Sequence, residues 1–187
     1  NIVGEILKYE RICQSYVSED VYYREVNEEL ERFLDEGNVE RDKILGVGIS
    51  FPGIVNLDRE LITYSHVLGV EAIPFVSISR FLSYPCYFLN DANAGAYAEG
   101  FQEEGAEPFF YLSLSNTVGG AFFSRNELMQ GKNFRCGEVG HMTVAAGGES
   151  CYCGKKGCLD AYCAAWHLSE AAGGKLEQFF ERLDQGE

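Results

Sequence analysis

The side chains best suited to chemistry in this chain are one histidine and three crowded cysteines. His141 is followed by Cys151-Tyr152-Cys153-Gly154-Lys155-Lys156-Gly157-Cys158. Three thiolates and one imidazole are the ligand type and number of a closed tetrahedral zinc site. Gly154 and Gly157 free the backbone to fold tightly, so that all three sulfurs can face one point. Cys151 and Cys153 are too close in sequence to bridge each other comfortably. The alternative is a group of unbound core cysteines. Four protein ligands leave no position for a catalytic water, so a zinc ion here is structural. It would pin the irregular loop Gly137-Glu138-Val139-Gly140-His141. The other four cysteines, Cys13, Cys86, Cys136 and Cys163, read as small packing residues.

A carboxylate supplies the second candidate. Asp91 follows the apolar run Cys86–Asn90, where α/β sheets place their ligands, and could act as a general base. It is equally placed to cap the alanine-rich helix expected over Ala92–Gly100. Both readings stay open on the residues alone. Glu138 by itself reads as a solvated loop acid.

These groups need elements to hold them. A chain of 187 residues can bury a core without disulfide staples. Strand material is expected over 2–13, then a helix from Ser18 to about Asp35, closed by Gly37. Its apolar face is Val26, Leu30, Phe33 and Leu34. Ile44–Ser50 and Cys86–Asn90 read as buried strands, and 76–82 as a short helix. Phe109–Leu114 and Ala121–Ser124 are expected strands, the second ending in a hairpin turn at Arg125-Asn126. Residues 131–158 carry little periodicity, and 159–166 and 175–183 read as helices. The mixture predicts an α/β layered fold.

Composition narrows the partners. There are 29 acidic and 15 basic residues, a formal charge of -14, so the chain repels a nucleic-acid backbone. Its longest apolar runs fall short of a membrane span. Seven cysteines cannot all pair, and no basic-then-apolar leader opens the chain, so a reducing cytosol is the expected compartment.

The motifs together resemble the ROK family of repressors, uncharacterised reading frames and sugar kinases. Gly137-Glu138-Val139-Gly140-His141-Met142 and Cys151-x-Cys153-Gly154-x-x-Gly157-Cys158-Leu159 carry the resemblance. Phe51-Pro52-Gly53-Ile54-Val55 and Asn90-Asp91-Ala92-Asn93-Ala94 extend it upstream. The resemblance implies an actin-like ATPase fold of ribonuclease-H-like halves, with a sugar in the cleft between lobes. Residues 1–105 would belong to the first lobe. Residues 106–187 would start the second, with the zinc loop at 137–158. The resemblance also implies that Asp91 takes a proton from a sugar hydroxyl. Asn90, Glu138, His141 and the acid Asp160 would hold the sugar, with a backbone contact at Gly53. His141 would then serve metal and sugar together. His66 lies where the family presents a sugar-facing side chain, although its residue type does not carry over.

Three departures bear on function. The glycine-rich phosphate loop of the family's kinases reads Ser115-Asn116-Thr117 here, with Thr117, Gly119 and Gly120 retained. Side chains at such positions obstruct the approach of backbone N–H groups to phosphate. The family's N-terminal Asp-x-Gly-x-Thr strand and the end of its second lobe are not found, so a fragment is expected. Asp160 stands where most of the kinases use glutamate, one methylene longer. The expected function is the sugar-sensing domain of a homodimeric ROK-type regulator, reaching DNA through a helix-turn-helix not contained in 1–187. The alternative is an ATP- and Mg²⁺-dependent sugar kinase with Asp91 as base. A structural zinc module is a third reading.

Overall fold

The computed structural model describes residues 1, 3–102 and 107–186. The chain divides into two compact units, Asn1–Ala94 and Gly95–Glu187. The lobe boundary expected at 105/106 lies outside the described residues.

In the first unit, α1 (Asp20–Glu36) buries Tyr23 and Leu34. Its solvent face is tied by Arg32, which bridges Glu29 and Glu36 at helical spacing and reaches back to Glu10. Strands β1 (Val47–Phe51) and β5 (Cys86–Asn90) pair in parallel, Val47 opposite Cys86 through Phe51 opposite Asn90. Between them in sequence lie an antiparallel meander, β2 (Ile54–Asn56), β3 (Leu61–Ser65) and β4 (Val70–Pro74), and the single-turn helix α2 (Val76–Ser79). One core joins them: Tyr23, Phe51, Val55, Ile62, Ile73, Ile78 and Phe88 are all buried. Phe75 stacks on Phe88 with ring centroids 4.2 Å apart.

Helix α3 (Asp91–Gln102) begins in the first unit and continues into the second. The second unit has an antiparallel sheet of β6 (Phe109–Leu114), β7 (Val118–Ser124) and β8 (Glu127–Leu128). Phe123 is buried against Phe109 and Tyr97. Gly100 admits this packing, because a Cβ there would collide with the Phe123 ring. After β8 come a 3-10 turn (Val139–His141) and three helices, α4 (Asp160–Cys163), α5 (Ala165–Ala171) and α6 (Leu176–Asp184).

Several expectations need correction. Residues 3–17 form no strand, and Val3, Ile6, Leu7 and Tyr9 are exposed. Apolar content alone makes no strand without a ladder partner, and none of the described strands pairs with this segment. Gly37 closes α1 as expected, at φ -79, and the left-handed turn falls on the next residue, Asn38, at φ 50. The helix expected over 76–82 is one turn, Val76–Ser79. The helix expected over 159–166 breaks at Ala164, which is extended at ψ 142. There the Ala165 amide leaves the helical ladder and donates to the Ser115 carbonyl at 2.7 Å. Strand β7 starts three residues before Ala121, so Gly119 and Gly120 lie in a strand rather than in a loop. Cys13 and Cys163 are exposed, so packing does not account for them. The hairpin turn at Arg125-Asn126 forms as expected, with φ 54 and 64.

Ser65 ties the meander to the loop after β1. Its hydroxyl is fully buried, donates to the Pro52 carbonyl and accepts from the Leu68 amide at 3.2 Å. Replacing it with alanine strands both partners. Ser65→Ala should therefore lower stability by about 1–3 kcal/mol. A reduced denaturant midpoint with unchanged slope checks this.

Candidate metal and ligand site

His141, Cys151, Cys153 and Cys158 converge. Their ligand atoms all lie within 4.8 Å of one another. The Cys153 and Cys158 sulfurs are 3.7 Å apart, and Cys151 Sγ lies 3.7 Å from His141 Nδ1. A tetrahedral ion with metal–sulfur bonds of about 2.3 Å sets its sulfurs about 3.8 Å apart, and sulfur and nitrogen about 3.6 Å apart. The four side chains therefore fit a tetrahedral ion, with Nδ1 as the imidazole ligand.

The backbone shows how the sequence reaches this geometry. Gly154 and Gly157 both have positive φ, at 86 and 78. Gly157 also packs so closely on the Ala145 carbonyl that a Cβ would overlap it. The Cys151 amide donates to the Lys155 carbonyl at 2.9 Å, and the Gly154 amide to the Cys151 carbonyl at 3.0 Å. An isolated bridge pairs Thr143 with Cys158, which brings the segment after His141 to the last cysteine.

The surroundings move two of the thiols in opposite directions. Burial pushes the Cys151 thiol up to about 11. Burial also acts to raise Cys153, but the Lys155 amide and the neighbouring Cys151 and Cys158 thiols outweigh it, and that thiol is lowered. A bound cation holds all three as thiolates. Lys155 Nζ donates to the His141 carbonyl at 2.7 Å and keeps a positive charge beside the cluster. On the far side of the imidazole, Nε2 lies 3.3 Å from the Tyr152 hydroxyl, and the two rings meet edge to face. A histidine that binds metal through one nitrogen usually has its other one held this way.

The loop bearing Glu138 and His141 is laid against β7 by backbone contact. A Cβ on Gly120 would lie 2.6 Å from the Phe110 ring and 2.8 Å from Val139. Gly137, at φ 91, lies against the Gly120 carbonyl, and Gly140 against the Val118 carbonyl, with no room for a side chain in either place. Glu138 is exposed beside this contact. Asp160 is not exposed. It is 2% accessible, and its Oδ1 accepts the Val118 amide at 2.5 Å. In the adjoining turn, the Ser115 amide and hydroxyl both donate to the Thr117 carbonyl, at 3.3 and 3.1 Å.

In the first unit, the helix cap is Asn90, whose Oδ1 accepts the Asn93 amide at 3.1 Å. The capping role open to Asp91 is thus taken by its neighbour. Asn90 Nδ2 donates to the Gly53 carbonyl at 3.0 Å and to Asp91 Oδ1 at 2.8 Å, so both of its hydrogens are engaged. Asp91 is exposed, and Oδ1 also accepts the Ala92 amide at 3.0 Å. These bonds fix the carboxylate's direction at the end of β5. Gly53 is needed because a Cβ there would meet the Tyr64 carbonyl at 2.5 Å. His66 is exposed, with Nδ1 3.4 Å from the Tyr64 hydroxyl.

The sequence model of the ROK family matches residues 2–182. The chain belongs to the ROK family. Among its relatives, the glucokinase of Halalkalibacterium halodurans is 29% identical over 147 residues, which cover 76% of this chain and 44% of that protein. The xylose repressor of Caldicellulosiruptor bescii is 31% identical, over 87% of this chain and 42% of the repressor. A ROK hexokinase structure from Thermus thermophilus superposes with a TM-score of 0.63 at 31% identity, covering 82% of this chain and 51% of the hexokinase. The fold is therefore part of the actin-like ATPase fold of ROK sugar kinases, and the chain spans about half the length of these relatives or less.

Sequence reasoning singled out the four candidate ligands that converge here, but not their supports. Tyr152, Lys155 and Ser65 were passed over, although Tyr152 and Lys155 lie inside the cysteine motif. Tyr162 is another, accepting the Glu149 amide at 2.8 Å. Tyr152→Phe should weaken metal affinity about 10- to 100-fold by freeing the imidazole, measured by competition with a chelator. Cys153→Ser and Cys158→Ser should both lower metal content. Cys158→Ser should also lower Tm further, because Cys158 is fully buried whereas Cys153 is exposed.

Proposed function

We propose that this chain is the sugar-binding part of a ROK-type transcriptional regulator, a ligand sensor rather than a catalyst. The turn at 115–118 carries the reading. Phosphate binding by such a turn needs free backbone N–H groups. Here the Ser115 amide is closed on Thr117, and the Val118 amide is held by a buried carboxylate. A phosphate oxygen would have to displace that charge-assisted bond and settle beside a negative group.

The sugar would be held by Asp91, Glu138 and His141, with Asn90 and Gly53 fixing the Asp91 carboxylate's surroundings. Carboxylates accept from neighbouring hydroxyls in pairs, which suits a hexose, an N-acylhexosamine or a related sugar. The metal is zinc in this reading. It would be held by His141, Cys151, Cys153 and Cys158, and would stiffen the loop that presents Glu138 without taking part in any reaction. DNA would be engaged by a helix-turn-helix outside these residues, in a cytosolic homodimer. No helix among the described residues is long and apolar enough to cross a membrane.

A kinase is the second reading. It is favoured by the exposed, oriented carboxylate of Asp91, which the cap at Asn90 leaves available as a general base. The relatives include N-acetylmannosamine kinases, 30% identical over 149 residues, as well as repressors.

The test uses the full-length, zinc-replete protein with xylose, glucose and N-acetylmannosamine. One sugar should raise Tm, with no sugar-dependent ATP turnover, and the shift should vanish in Glu138→Ala. Turnover with that sugar, abolished in Asp91→Asn, would make the protein a kinase.

A further inference from the structure

We propose that Asp160 is a positioning residue that couples the metal loop to the turn at 115–118, so that metal loading orders that turn. The inference rests on the reading of His141, Cys151, Cys153 and Cys158 as a metal site. It does not depend on whether the protein senses or phosphorylates a sugar.

Val118 is gripped from two sides by the metal loop. Asp160, two residues after the fully buried ligand Cys158, accepts the Val118 amide at 2.5 Å. Gly140, adjacent to the ligand His141, lies directly against the Val118 carbonyl. A third tie comes from just beyond α4, where the Ala165 amide donates to the Ser115 carbonyl at 2.7 Å. The segment carrying these groups is held mainly by backbone hydrogen bonds, such as the Gly157 amide to the Glu149 carbonyl at 2.7 Å, and has little apolar core. Its buried cluster is Cys151, Cys158 and Ala161, two of which are ligands. Asp160 itself is positioned through the ligands' backbone. The Leu159 amide donates to the Met142 carbonyl at 2.9 Å, and the Ala161 amide to the Cys158 carbonyl at 3.1 Å. Without an ion, three thiols and an imidazole have no common centre, and the peptide that aims Asp160 loses its anchor at both ends. With the ion bound, the carboxylate is locked on the Val118 amide and the turn is closed.

This assignment differs from a sugar contact at Asp160. A side chain 2% accessible, with one oxygen committed to a backbone amide, acts on the turn first. An aspartate suits the task because one methylene fewer keeps the carboxylate short of the surface.

The experiment is amide hydrogen exchange on the full-length protein, comparing zinc-loaded and chelator-stripped samples, with zinc content measured on each. In the wild type, stripping should speed exchange across 115–120 at least tenfold. Asp160→Ala should show the fast rate with zinc still bound, and stripping should add less than twofold. Asp160→Asn, whose amide oxygen still accepts, should restore most of the protection. Protection over 115–120 that survives both stripping and Asp160→Ala would overturn the coupling alone. So would a sugar affinity that falls tenfold in Asp160→Ala while 115–120 stays protected, since that marks a sugar ligand. A wild-type protein that takes up no zinc would overturn the metal reading and the coupling with it. Should Asp160→Ala fail to fold, the wild-type comparison and Asp160→Asn still decide.

Discussion

Four ligand atoms within 4.8 Å of one another are the constraint on which the second unit depends. Between β8 and α4 the chain has one 3-10 turn and two isolated bridges. Its buried cluster there contains three residues. Hydrophobic burial of that size supplies only a few kcal/mol, too little to order thirty-odd residues against their conformational entropy. A metal bound by three thiolates and an imidazole would replace the missing core, because its binding energy becomes folding energy. The same constraint explains the glycines. Gly137, Gly140 and Gly157 each lie against a carbonyl where no side chain fits. The loop gains its shape from backbone contact rather than side-chain packing, and metal bonds would add to it.

The first unit solves its problem differently. Its core is a conventional apolar one, joining α1, the parallel pair and the meander through Ile62, Phe51 and Phe88. Polar groups are used sparingly at the loop that follows β1. Ser65 holds Pro52 and Leu68, and Asn90 holds Gly53, Asp91 and Asn93 at once. Each of these side chains spends nearly all its hydrogen-bonding capacity on orienting the backbone. The acid next to Asn90 is thereby relieved of capping and points where the strand ends.

Much of this was legible in the sequence, for reasons that differ by element. Cys86–Asn90 and Phe109–Leu114 are apolar-rich runs that each follow a proline, and both are strands with those limits. The metal ligands were legible because coordination demands residue types that few other roles demand together. The meander over 54–74 was not, because β2 is only three residues and β3 mixes Thr63 and Tyr64 with Leu61 and Ile62. The segment 3–17 misled because apolar content was read without a partner strand. The support residues were invisible for a related reason. Tyr152 and Ser65 act through neighbours brought together by the fold, and no spacing rule records that. The resemblance implies a sugar contact at Asp160, whereas its burial and its bond to Val118 are facts of three dimensions.

The two functional readings separate on what each chemistry requires of the same scaffold. Sugar binding needs acceptors and donors matched to hydroxyls in the ground state, and Asp91 would serve that need as a carboxylate whether or not it ever took a proton. Phosphoryl transfer needs, in addition, donors aimed at the charge on the transferred group. An interaction made only in that transition state can be lost without weakening sugar affinity. A turn whose amides close on Thr117 and Asp160 has lost donors of this second kind while the first kind remains. On the sensor reading proposed above, a scaffold altered in this order would still distinguish sugars, and Asp91 would be kept because a hydroxyl still needs an acceptor.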